Sequence, residues 1–103
     1  MKHAVTIPYP VFAQALEAGS LKRIENIARE MPRVTLRDSL RIVELMARDG
    51  DDRYERAAAR WLDRLRAESD LNPGDVHAAA AWLHELPQRA DAIEPLRALL
   101  PMS

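Results

Sequence analysis

Four arginines, at positions 53, 56, 60 and 64 of the stretch RYERAAARWLDRL, recur at helical spacing. At about 100° per residue they share an arc of roughly 80°, and a guanidinium row of that kind can neutralise successive phosphates of a nucleic acid. Arg37, Arg41 and Arg48 on the preceding predicted helix would enlarge the patch if the two helices are antiparallel neighbours. The same row also reads as the solvated back of an amphipathic helix. Each arginine has an acid at helix-neighbour spacing: Asp49 for Arg53, Asp52 for Arg56, Asp63 for Arg60 and Glu68 for Arg64. Such pairs contribute about 0.2–0.5 kcal/mol each and dilute the positive field. A salt-bridged face is therefore the favoured reading, and nucleic-acid contact through Arg37, Arg41, Arg53, Arg56, Arg60 and Arg64 is the alternative. A helix-turn-helix over 36–65 fits poorly, because its turn is acidic and the second helix opens on Asp51-Asp52.

Other chemistry is largely excluded. Without cysteine there is no disulfide framework, thiol nucleophile or thiolate metal site. Three glycines leave no room for a glycine-rich phosphate loop, and neither an HExxH motif nor a nucleophile-elbow serine occurs. Asp49-Gly50-Asp51-Asp52 resembles a calcium loop only superficially. The glycine needed at the sixth place is missing, and Arg60 stands where a bidentate glutamate belongs. His77 and His84 lie about 10.5 Å apart along a helix axis at 1.5 Å per residue, too far to share one metal. The expectation is a non-enzymatic protein with no cofactor and no metal.

The segment VHAAAAWLHEL is apolar almost all round, a composition expected of a helix that is central or packed on both sides. Its alanines allow close backbone approach. Trp82, about 100° from Leu83, falls at the margin of the core: burial is the favoured reading, and if exposed it would serve as an interface anchor. Trp82 and Val76 are thus candidate contacts for a protein partner or a second copy, a homodimer included. Tyr9, in the N-terminal PYP segment, is a third candidate; that segment lacks the PxxP spacing of a groove ligand.

The elements that must carry these residues follow from periodicity and caps. Residues 1–9 alternate around Val5, Ile7 and Tyr9, and prolines 8 and 10 keep their predecessors out of the α region, so an extended arm is expected. Helices are predicted near 10–18, 20–31, 36–48, 53–68, 73–86 and 91–100. Gly19 ends the first. Ser20 caps the second, and Pro32 stops it. Thr35-Leu-Arg-Asp38 is a capping-box-like start to the third, whose apolar residues spread over more than half its circumference and mark it as the centre of the core. Asp52 and Glu55 give the fourth an acidic start, and on its inward arc lie Tyr54, Ala57, Ala58, Trp61, Leu62 and Leu65. Asn72-Pro73-Gly74-Asp75 opens the fifth as cap, pre-set first residue and third-position acid, with Leu71 and Val76 placed for a hydrophobic staple. Pro95 blurs the start of the sixth.

With 103 residues, 48% hydrophobic and 30% charged, the chain is most simply one globular domain, burying roughly 65% of its unfolded surface. Arginine outnumbers lysine 13 to 2, as a GC-rich genome would produce. The net charge of −1 gives no overall basic footprint. Charge is uneven, with 12 basic and 9 acidic residues over 21–66 against 2 and 6 over 67–103. No apolar run approaches the ~20 residues of a membrane span, and MKHAVTIPYP lacks the pattern of a signal peptide; a cytoplasmic protein is expected. No side-chain pattern recurs at a fixed period, so a bundle of antiparallel neighbours is expected over a solenoid. The stretch LRDSLRIVELMARDGDDRYERAAARWLDRL, about a third of the chain, resembles a segment of uncharacterised small helical proteins of actinomycetes. The resemblance implies a bacterial origin and carries no activity, cofactor or site. Fold class is therefore expected to be all-α: a compact bundle of five or six short helices with an extended N-terminal arm.

Overall fold

The computed structural model describes residues 8–31 and 33–101. Among them are six α-helices: α1 (Tyr9–Ala18), α2 (Leu21–Ala28), α3 (Leu36–Asp49), α4 (Tyr54–Glu68), α5 (Pro73–Glu85) and α6 (Ile93–Ala98), the last entered through a 3-10 turn at Ala90–Ala92. No strand occurs among the described residues, as the all-α expectation requires. No helix among them is long and apolar enough to cross a membrane.

The predicted caps form. Ser20 accepts from the Arg23 amide, Thr35 from the Asp38 amide at 3.1 Å, and Asn72 from the Asp75 amide at 2.8 Å. Each satisfies one of the amides that a helix start leaves without a partner. The acidic start of α4 works differently from expectation. Arg53 occupies the cap position with no side-chain cap of its own, and Asp51 rather than Asp52 accepts from the Arg53 amide at 2.9 Å. α2 stops at Ala28 and continues as 3-10 turns through Met31. Pro95 sits in the first turn of α6, where its missing N–H costs nothing.

α3 is the hub, as its broad apolar arc predicts. Leu40, Val43, Met46 and Ala47 enter a core shared with Tyr54, Ala58, Trp61 and Leu65 of α4, Ala79 and Leu83 of α5, and Ile93 and Leu96 of α6. Leu45, about 140° round α3 from Leu40, enters a second cluster with Phe12, Ala15 and Leu16 of α1 and Ile24 of α2. Burying each such large side chain contributes about 1.5–3 kcal/mol. The α1–α2 pair therefore covers one side of α3, and α4 and α6 cover the other, with α5 packed on α4 and α6.

Two expectations change. α1 begins at Tyr9, so Tyr9 is the first helical residue and not the end of an extended arm; of the arm's described residues only Pro8 is extended. The steric bias set by Pro10 is outweighed locally by a hydrogen bond from the Tyr9 hydroxyl to Asp38 at 2.8 Å and by a tilted ring contact with Phe12. Residues 1–7 of the expected arm lie outside the described residues. α5 is neither central nor enclosed: Ala79 and Leu83 are its buried residues, while His77, Ala81 and His84 are exposed. Its apolar character comes from alanines, which do not need burial as larger side chains do.

Candidate functional site

The structure separates the arginines. Arg41 donates to the Leu16 carbonyl at 3.1 Å and to Glu44 at 2.9 Å, and Arg48 donates to the Gly19 carbonyl at 2.9 Å. Both guanidinium groups thus close the C-terminal end of α1, where carbonyls lack helical partners and positive charge is favoured. Arg64 reaches another side of α3, donating to Ser39 at 2.8 Å while clamping Glu68 with both nitrogens. Ser39 lies about 160° round α3 from Arg41, so the α3 and α4 arginines do not merge into one surface.

The ladder itself is divided. Arg53 binds Asp51 and, across to α2, Glu25, both at 2.7 Å, while the expected partner Asp49 belongs to Arg48. Asp63 lies 3.9 Å from Arg66 instead of joining Arg60. Only the Arg64–Glu68 pair forms as the spacing suggests. Arg37, Arg56 and Arg60 are exposed, with no ion pair among the described residues. These hydrogen bonds perturb the acids: Arg53 holds Asp51 down at about 2, and Arg64 lowers Glu68.

The partner-binding candidates are separated too. Val76 is half-buried in the first turns of α5 and Trp82 half-buried against the main core. Tyr9 is 52% exposed on α1, and Val11 is 37% exposed. On the α5 wheel Trp82 stands about 160° from Ala80, on the flank away from α4.

An open groove with an apolar floor runs between α4 and α5. Its first part, about 510 Å³, has Ala58, Ala59, Leu62, Ala80 and Leu83 as floor and walls, with Glu55, His84 and Gln88 at its end. Its second part, about 410 Å³, shares Leu62 and Ala80 and continues past Leu71, Pro73 and Val76 to Arg66 and His77. Leu71 and Val76, the pair expected to form a staple, line one end of the floor. Behind the groove the Tyr54 hydroxyl donates to the Leu83 carbonyl, and burial pushes its pKa up to about 12.

Two rows of residues frame this groove. Glu55, Ala59, Leu62 and Arg66 line the α4 side, and Pro73, His77, Ala80, His84 and Pro87 line the α5 side. Both rows step by four and three residues, the spacing of a helix seam prepared for another helix. The α4 row was hidden in the sequence behind the more conspicuous arginines, and its 4-3-4 spacing was the available signal. Among the described residues no group of three or more His, Asp or Glu is placed to hold a metal ion. The polar side chains stand at opposite ends of an apolar floor, an arrangement suited to covering apolar side chains rather than to converging on a reacting atom. No protein-family model matches the chain, and neither a curated protein nor a solved structure matches it.

Proposed function

We propose that this chain is a non-enzymatic protein-interaction module whose working surface is the α4–α5 groove. The observation that supports it is the apolar, small-residue floor with charged and polar ends. Ala58, Ala59 and Ala80 leave space for another backbone, and Leu62, Leu71, Leu83 and Val76 offer apolar area to cover. An amphipathic helix laid between two helices meets this description, its apolar face on the floor and its polar edges at the rim.

Ala59 is exposed and lines the groove, so Ala59→Glu places a carboxylate on the floor without entering the core. An apolar ligand could cover that charge only by stripping its water, at a cost of several kcal/mol. The test is quantitative capture with wild-type and Ala59→Glu baits, a differently tagged copy of the chain included among the prey. Circular dichroism checks that both baits are folded. A protein held by the wild type and released by the variant supports the reading. Identical capture by both baits, or none by either, sinks it.

A further inference from the structure

From the reading of the α4–α5 groove as an interaction surface, we infer that its occupant is a second copy of this chain, with α4 laid antiparallel on α4 and α5 antiparallel on α5 about a twofold axis. The argument is the symmetry of the lining residues. On α4 the acid Glu55 and the base Arg66 stand at opposite ends of the groove. Their midpoint falls between Arg60 and Trp61, and the inner pair Ala59 and Leu62 shares it. On α5, His77 and His84 have their midpoint between Ala80 and Ala81. Leu62 and Ala80 both line the two halves of the groove, so these midpoints lie at one level across it.

A twofold axis through that level makes the surface complementary to itself. Glu55 meets Arg66 of the second copy at each end, Ala59 meets Leu62, and small Ala80 and Ala81 meet across α5. A parallel arrangement would instead set Glu55 against Glu55 and Arg66 against Arg66, which repel. Neither charge is firmly engaged within the monomer. Glu55 has no ion pair among the described residues, and Arg66 has only a 3.9 Å approach to the exposed Asp63. The 15 residues of α4 and 13 of α5 span about 20 Å at 1.5 Å per residue. A face two helices wide and that long is smaller than the ~800 Å² per partner of a standard interface. The dimer is therefore reversible, dissociating on dilution through the micromolar range.

The decisive experiment is sedimentation velocity over nanomolar to high micromolar concentration. The samples are wild type, Glu55→Lys, Arg66→Glu, the double swap and Ala59→Glu. Each exposed single reversal acts at both ends of the dimer and should weaken it about tenfold, while the double swap returns it to within about threefold of wild type. A wild type that stays monomeric throughout overturns the inference and leaves the interaction module to the capture test. A dimer indifferent to the swaps but abolished by Ala59→Glu overturns the antiparallel pairing and keeps the groove as the interface. A dimer indifferent to all four variants overturns both.

Discussion

The Tyr54 hydroxyl on α4 donates to the carbonyl oxygen of Leu83 on α5, 29 residues further along the chain, and so ties together the two helices that wall the groove. The phenol is buried, and burial disfavours phenolate, raising its pKa from 10.0 to about 12. The native state thus holds this proton more tightly than the unfolded chain does. The resulting stability is fully present below pH 10 and lost as pH rises from 10 towards 12, up to about 2–3 kcal/mol. Urea unfolding at pH 8, 10 and 11.5 should show the decline. Tyr54→Phe should flatten it while costing about 1 kcal/mol at neutral pH for the lost hydrogen bond. A smaller slope will remain from Tyr9, which its bond to Asp38 also raises. An unchanged slope in the variant would show that Tyr54 is not the group responsible.

What the sequence made legible was local. Caps at Ser20, Thr35 and Asn72 need residues three apart, and α3 announced its central place by an apolar arc too wide for one neighbour. Tyr54, Trp61 and Leu65 were readable as inward residues by periodicity alone. Apart from Glu68 for Arg64, the arginine partners were not readable: Glu25 from α2 reaches Arg53 across the fold, and Arg48 takes its neighbour Asp49. α5 misled for a related reason, since alanine counts as apolar in a pattern but tolerates solvent. The groove depends on how α4 and α5 lie side by side, and periodicity within either helix shows only half of it.

Gly19 and Gly50 both adopt left-handed backbone, at φ 76° and 65°, ending α1 and α3. An added methyl group at Gly50 meets nothing within 4 Å, whereas at Gly19 it would stand 2.8 Å from a nitrogen of the Arg48 guanidinium. Gly50→Ala should therefore cost only the backbone term, about 1–2 kcal/mol. Gly19→Ala should cost about 1 kcal/mol more, because Arg48 must leave the Gly19 carbonyl it closes. In the Arg48→Ala background the two alanine substitutions should become nearly equal in thermal or urea unfolding. A difference that persists there would mean that the guanidinium contact is not its cause.

Asp51 accepts three hydrogen bonds from Arg53, one from the backbone amide and two from the guanidinium, at 2.7–2.9 Å. They hold its carboxyl at about 2, below its ordinary 3.8. The native state therefore binds this proton less tightly than the unfolded chain. Its contribution is present above pH 3.8 and disappears as pH falls towards 2. Asp49 and Glu68, lowered by Arg48 and Arg64, act in the same direction. Urea midpoints should fall between pH 5 and 2.5, and Asp51→Asn should reduce that fall while lowering the midpoint at pH 5. Because Arg53 also holds Glu25, the variant should loosen α2 first, visible as faster amide exchange over Leu21–Ala28.

The two tryptophans sit in different surroundings, one inside the core and one at its edge. Trp61 is 2% exposed and donates its indole N–H to the Leu36 carbonyl at 2.8 Å, whereas Trp82 is half-buried on the flank of α5 away from α4. With Trp82→Phe the remaining Trp61 should emit at short wavelength and resist acrylamide. With Trp61→Phe the remaining Trp82 should emit further to the red and be quenched several-fold faster. The second substitution should also cost about 1–3 kcal/mol, since it removes a buried hydrogen bond as well as apolar area. Dilution of the Trp61→Phe protein then locates the interface. If copies meet along the α4–α5 groove, Trp82 stays outside it, and its emission should not change as dimer gives way to monomer. A red shift on dilution would place Trp82 in the contact and move the interface to the other flank of α5.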